Sequence, residues 1–389
     1  MPYAQGRIYN DADAHLMETT NWLAEYADAH IRVLLKPLDL SKAGNMVEHL
    51  RSAPATPDHW VQVEIEKNFM SLKGWAALGA FDSVERSRAL DLLGFNRQLV
   101  FPSLAMSQFW GLYEQLEYDP ELLYGGTRAL NRGISDFCRN DPRLIAVGFL
   151  PLDEPERAEQ ELREALRLGC KAFWIPAGPA RGRAPSHPVF DRVWAVLQEA
   201  HVPFMLHVGA GQIPGGGHRP MSDAYRNNGR NEKTGWLGGG EDLDSKDFTI
   251  LHLPAEAFLS AMVLDGTFER FPGLRCGVIE LGALWVVPWI KRLDIAQQIF
   301  ARSEPYLKLP LKASDYVRRQ IKFTPHPTEP VGWIIQQAGD ELFLFSSDYP
   351  HIEGGRDPLK RFEQAMTGLD EASKQRFYAT NFNEMMGIG

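Results

Sequence analysis

Ile8-Tyr9-Asn10-Asp11-Ala12-Asp13-Ala14-His15 passes within a few residues from a short apolar start to two acids and a histidine. Residues two apart on a strand point to the same side, so Asp13 and His15 can reach one point in space. The arrangement returns twice. Pro203-Phe204-Met205-Leu206-His207 ends an apolar run on a histidine, and Leu342-Phe343-Leu344-Phe345-Ser346-Ser347-Asp348 ends one on an aspartate. Each reads as a polar residue at the carboxyl end of a buried strand. A barrel of parallel strands places its chemistry there.

The chain between these stretches alternates. Strands are expected over 8–13, 97–101, 144–149, 171–175, 203–207, 275–280, 320–324 and 342–347. Helical periodicity is expected over 21–35, 83–93, 120–139, 154–168, 188–200, 255–271, 284–302 and 331–338, then near 358–366 and 371–386. Such alternation argues for an α/β fold with a parallel sheet, and eight units suit a closed (β/α)8 TIM barrel. An open doubly wound sheet is the structural rival. Two stretches break the rhythm. Residues 36–79 carry Pro37, Pro54 and Pro57, and residues 209–249 are rich in glycine and charge. Neither has the apolar repeats to bury a core of its own. The expectation is therefore a single domain over 1–389, with these insertions over the C-terminal face. Long loops in compact domains usually have a use, so 209–249 reads as a lid or substrate collar, or else as a plain surface loop.

The composition narrows the function. A chain of 389 residues that is 44% hydrophobic can bury a large core, and a net charge of -9 disfavours nucleic acid. Cys138, Cys170 and Cys276 are widely spaced and odd in number, which suggests a reducing, cytoplasmic setting without a disulfide framework. No run has the length of a membrane span, and Met1 to Asn10 lacks the pattern of a secretory signal.

The residues that end the apolar runs carry the chemistry. An ionised aspartate after Leu342 to Phe345 is costly to bury unless paired or metal-bound. Asp13, His15, His207 and Asp348 are therefore expected to converge on one divalent metal. Each has an ordinary alternative: a surface acid, a core histidine, a helix cap. Two imidazoles and two carboxylates suit zinc, with manganese next. Arg219, Arg226 and Arg230 could clamp a substrate carboxylate, and His351 follows Asp348 closely enough to touch substrate. Gly209-Ala210-Gly211 mimics half a dinucleotide fingerprint but lacks the third glycine and a following helix.

These stretches, with Phe268-Glu269-Arg270-Phe271-Pro272-Gly273-Leu274, Val278-Ile279-Glu280-Leu281-Gly282 and Ser346-Ser347-Asp348-Tyr349-Pro350-His351, resemble the amidohydrolase-related metal-dependent family. That family includes the aminocarboxymuconate semialdehyde and resorcylate decarboxylases. The resemblance implies a distorted (β/α)8 barrel with a mononuclear metal. Asp13 and His15 match the first-strand ligand pair, although many relatives have His-x-His or Glu-x-His there. His207 matches the fifth-strand ligand and Asp348 the eighth-strand aspartate. His252 resembles a histidine near the metal acting as acid or base, and Glu280 a carboxylate behind the ligands. A homodimer is implied on the same ground.

The function expected is that of a metal-dependent enzyme acting on a small carboxylate, either aromatic or cyclic. Non-oxidative decarboxylation leads, with Asp348 or His252 protonating the carbon that loses CO2. Hydrolysis of a C–C, ester, lactone or amide bond by metal-bound hydroxide is the alternative. A metal-binding barrel without activity is the reading from another class.

Overall fold

A computed structural model describes residues 2–40, 69–109, 118–209, 221, 223–229 and 243–388. Every strand pairing in its sheet is parallel. The order is β1 (Asn10–Asp11), β3 (Arg97–Pro102), β4 (Leu144–Phe149), β5 (Ala172–Trp174), β6 (Phe204–His207), β7 (Cys276–Ile279) and β8 (Ile321–Phe323), with β2 (His15–Leu16) also on β3. The strands are almost wholly buried. That is expected for a sheet covered on both faces, and it explains why they read as continuous apolar runs rather than alternating ones.

The last strand expected from sequence closes the ring without becoming a regular ladder. Phe343 bridges Phe323 in parallel and Ala14 bridges Tyr349. The Leu344 amide donates to the Phe323 carbonyl at 2.9 Å, the Ala12 amide to Phe345 at 3.0 Å and the His15 amide to Tyr349 at 2.7 Å. Two amides of the segment are diverted elsewhere. Phe345 donates to the Phe377 carbonyl at 2.9 Å and Ser347 to Asp11 Oδ1 at 2.8 Å. The first strand is broken in the same place, as Asp13 turns its amide toward Asp11 Oδ1 at 3.3 Å. Of the expected strand over 8–13 only Asn10–Asp11 is regular, and pairing resumes beyond the bend at His15–Leu16. The seam is thus irregular because side chains compete for its backbone.

Helices separate the strands as the periodicity requires. The main ones are α1 (Ser83–Leu93), α2 (Pro120–Cys138), α3 (Pro155–Leu168), α4 (Asp191–Glu199), α5 (Leu253–Leu264), α6 (Val286–Phe300), α7 (Ala313–Gln320) and α8 (Val331–Ala338). Three expected helices are broken. The one over 21–35 splits at Ala27–Asp28, both extended, where Asp28 is held by Arg128 at 3.2 Å and Arg132 at 2.8 Å. The one over 255–271 ends early because Gly266 takes φ +74, which side-chain-bearing residues rarely adopt. The one over 371–386 widens to a π-turn over Arg376–Thr380, where the Phe377 carbonyl serves the seam. One further correction concerns Ser245–Leu264, a 20-residue helical stretch long and apolar enough to cross a membrane, where no run of that length was expected. Its apolar content has a nearer use: Ala255, Phe258, Leu259, Met262 and Val263 are buried against the barrel.

Candidate metal centre

Because the strands are parallel, their carboxyl ends gather at one mouth. Register brings the polar ends level. His207 pairs with Ile279, the residue before Glu280, and His15 pairs with Phe101. The seam adds Asp348, whose amide donates to the Asp13 carbonyl at 2.9 Å. Asp348 and Glu280 take φ of 52 and 57. Non-glycine residues in this left-handed region mark places where the surroundings impose the geometry, commonly functional ones. Gly354 permits the next loop to close over Asp348, because a Cβ there would lie 2.1 Å from the Ser347 carbonyl oxygen.

The side chains form one connected group. Asp13 Oδ1 lies 3.2 Å from His15 Nε2 and 3.3 Å from His207 Nε2. His15 Nε2 lies 3.6 Å from Asp348 Oδ1, and His207 Nε2 lies 3.5 Å from Glu280 Oε2. His351 stacks on His15 with ring centroids 3.7 Å apart and sets Nδ1 3.2 Å from Asp348 Oδ1. The ligand-type atoms of Asp13, His15, His207 and Glu280 all lie within 4.8 Å of one another, as do those of His15, Glu280, Asp348 and His351. Metal–ligand bonds of about 2.0–2.2 Å put opposite ligands roughly 4 Å apart, so either set can close on one ion. Of the four residues singled out from sequence, Asp13, His15 and His207 share the first set, and Asp348 falls in the second, joined to the first through His15 and Glu280. Glu280, expected behind the ligands, stands among them, and His351 is buried within the group.

The outer contacts orient the rings. His207 Nδ1 faces the Val208 carbonyl at 2.9 Å and His15 Nδ1 the Pro102 carbonyl at 3.2 Å. Each ring thereby turns Nε2 to the centre, as metal-binding histidines do. Ser103 Oγ meets His351 Nε2 at 2.8 Å. Ser103 is fixed in turn by buried Glu18, which accepts the Ser103 and Leu104 amides at 2.9 and 2.8 Å. Trp174 and Phe101 pack on His207 with centroids at 4.7 and 4.6 Å.

The electrostatics ask for a cation. Asp13 Oδ2 and both oxygens of Asp348 are buried without a hydrogen-bond partner among the described residues. Buried carboxylate oxygens in that state are costly unless paired or coordinated. Burial, then the charge of Asp13, pushes Asp348 up to about 7. Asp13 is also pushed upward by burial, but the His207 charge and hydrogen bonds from His15 and His207 outweigh this and hold it well below the usual range. Burial, then the charge of His351, lowers His15 to about 4, so its ring is neutral and ready to ligate. Buried acids beside imidazoles that turn Nε2 inward are the donor set a divalent cation fits.

The remaining residues singled out from sequence lie elsewhere. His252 sits 3.4 Å from Glu256 Oε2 and stacks on Trp285 at 5.3 Å. Arg219 and Arg230 lie outside the described residues, and Arg226 ends a short helix, Asp223–Arg226. Most of the two insertions also lies outside them. Sequence reasoning did not single out Lys73, Ser103 or Glu18. Lys73 and Glu18 end no expected strand; Ser103, directly after the strand closed by Pro102, was the one with a signal to follow.

Comparison with known proteins agrees with this architecture. A family profile described as amidohydrolase matches residues 10–381. No curated protein matches the chain. An amidohydrolase from Mycobacterium avium subsp. paratuberculosis K-10 superposes with a TM-score of 0.72 at 22% identity, covering 99% of this chain and 100% of that one. The 5-carboxyvanillate decarboxylase of Sphingomonas paucimobilis gives 0.62 at 19% identity, covering 99% and 100%. A dihydroxybenzoic acid decarboxylase from Polaromonas sp. JS666, solved with bound manganese and the inhibitor 2-nitroresorcinol, gives 0.62 at 16% identity, covering 98% and 97%. Likeness at these identities shows the fold, a TIM barrel of the amidohydrolase type.

Proposed function

Since the chain belongs to the amidohydrolase family, we propose that it is a metal-dependent, non-oxidative decarboxylase of a small aromatic or cyclic carboxylic acid. The observation that carries this reading is Asp348, a buried acid with neither oxygen hydrogen-bonded among the described residues, beside the Asp13–His15–His207 group. The decarboxylase neighbours support it at the level of fold. Asp13, His15, His207 and Asp348 would hold the cation, with Glu280 and His351 completing or flanking the set. Three carboxylates among these donors favour manganese over the zinc expected from four ligands. The cation, when bound, supplies positive charge that orients the acid and draws electron density from it.

The chain's own residues do the rest. Trp174 and Phe101, both buried, pack on His207 and fix its ring beneath the mouth. Asp348, protonated, delivers its proton to the ring carbon bearing the carboxylate. The C–C bond then breaks, its electron pair returns to the ring, CO2 leaves, and Asp348 regains a proton from solvent. His252 is the second candidate acid, and His252→Ala with unchanged turnover removes it. A single barrel domain, a homodimer and a cytoplasmic setting belong to the same proposal; sedimentation velocity checks the dimer.

The test is CO2 release by manganese-loaded protein from 2,6-dihydroxybenzoate, 5-carboxyvanillate and related acids. Release that vanishes in Asp348→Asn supports the proposal. Ester, lactone or C–C hydrolysis without CO2 makes the protein a hydrolase instead. Bound metal with no turnover across both panels makes it an inactive barrel.

A further inference from the structure

A buried cation at the same mouth has no task in the reaction above. Lys73 is half-buried as a residue, yet its Nζ is shielded from solvent and has no hydrogen-bond partner among the described residues. The turn carrying it is held firmly. The Gly74 amide donates to the Pro350 carbonyl at 2.9 Å, and Trp75 Nε1 donates to the Glu18 carbonyl at 3.0 Å. Gly74 is thus tied to Pro350, two residues from Asp348, and this sets the Lys73 backbone beside the Asp348 corner. Its surroundings agree: burial lowers its pKa, and the charges of Asp348, Glu353 and Asp11 act against that.

A shielded ammonium with no acceptor is unfavourable unless something compensates it. The nearby compensation comes first from Asp348. Asp348 is also a residue proposed to hold the metal, and a cation there offsets the charge that steadies Lys73. Glu353 and Asp11 still act on it from a distance, but among the described residues no acceptor is within hydrogen-bond reach of Nζ, which leaves that contact open to an anion entering the mouth. Fixed turns that hold a polar group ready for a partner are how binding sites lower the ordering cost of association.

We propose that Lys73 anchors an anionic group of the substrate, a carboxylate, beside the Asp348 edge of the metal centre. This rests on the proposed function in taking the metal centre as the place where substrate binds. It assigns the charge-recognising residue to the turn over 73–76 rather than to the arginines of 209–249. It also restricts the substrate to acids small enough to reach both Lys73 and the cation.

The experiment compares wild type, Lys73→Met and Lys73→Arg, all manganese-loaded, by calorimetry. The probes are 2,6-dihydroxybenzoate and its neutral analogue 2,6-dihydroxybenzamide. Lys73→Met is expected to weaken the acid by about tenfold to a hundredfold. The amide should change by less than about twofold, and Lys73→Arg should keep most of the affinity. Lys73→Met should also melt no lower than wild type without ligand, because it removes an unpaired buried charge. The proposal is overturned by equal loss for acid and amide, by an unchanged acid affinity, by no binding of the acid to wild type, or by a melting point lowered by several degrees, which marks a structural lysine. Manganese content and CO2 release report separately on the function: charge-selective, Lys73-dependent binding without CO2 leaves the anchor standing and removes the decarboxylase.

Discussion

Asp11 and Asp13 stand two residues apart, Asp11 ending β1 and Asp13 in the bend before β2, and both are fully buried. Asp11 accepts Gln98 Nε2 at 2.7 Å, the Ser347 amide at 2.8 Å and Ser347 Oγ at 2.6 Å. Gln98 is itself held by Arg86 Nε at 3.0 Å, and Arg86 reaches the carbonyls of His15, Gly79 and Tyr349. Asp13, one layer higher, faces two imidazoles and keeps Oδ2 without a partner among the described residues. The lower carboxylate is supplied with donors by the protein, whereas the upper one is left for something else. The difference separates a residue that holds the fold from one proposed to hold a ligand, although both are buried acids two residues apart.

The sharpest way to break this comparison is to neutralise each acid in turn. Asp13→Asn is expected to lower metal affinity by more than about a hundredfold while leaving the chemical melting midpoint of the metal-free protein nearly unchanged. Titration calorimetry with manganese and urea melts read the two effects. Asp11→Asn should do the reverse, keeping metal stoichiometry and losing about 3 kcal/mol of stability, because an amide nitrogen then meets donors at the seam. Exchanged outcomes would erase the distinction.

Asp153 sharpens it. Its Oδ1 is also buried without a partner among the described residues, but no histidine group surrounds it. Burial pushes its pKa up to about 6, above the unfolded value. The folded state therefore holds the proton more tightly, and the resulting stability is present below about pH 4 and lost as pH rises through about 6. Relative to Asp153→Asn, wild type should lose about 2 to 3 kcal/mol between pH 4 and 7 in urea melts, with no change in metal content. A flat difference would mean that Asp153 has a cation partner, and that an orphan oxygen alone does not distinguish ligand sites from strained ones.

The smallest effect is expected at Ser103. Removing its hydroxyl with Ser103→Ala frees His351 to rotate. Manganese affinity should fall by about tenfold, the lower end for partners behind metal ligands. An unchanged affinity would place His351 outside the coordination set.

Much of the frame was legible because parallel strands buried on both faces leave short apolar runs. The expected span over 144–149 is β4 itself, and those over 83–93 and 331–338 are α1 and α8. What was not legible depends on partners far away in sequence. Asp11-Ala12-Asp13-Ala14-His15 cannot reveal that Gln98 and Ser347 claim Asp11, nor that this claim bends the strand. Glu280 was read as standing behind the ligands from the resemblance alone; its positive φ of 57, at a non-glycine residue, is not announced by the sequence. Lys73 sits in a stretch with no periodicity, so no pattern pointed to it, and its significance lies in what its Nζ lacks.

The seam where the first and last strands meet has a mechanical consequence. The amide of Asp348 is bonded to the carbonyl of Asp13, and the amide of Ser347 to the carboxylate of Asp11. Two side chains proposed to hold the ion thus hang from the one joint that completes the cylinder. Loading the ion should tighten that joint, slowing amide exchange at Ser347 and Asp348 more than at β4 or β5 on the opposite wall. Metal supply then sets how firmly the barrel stays shut as well as whether it can turn over.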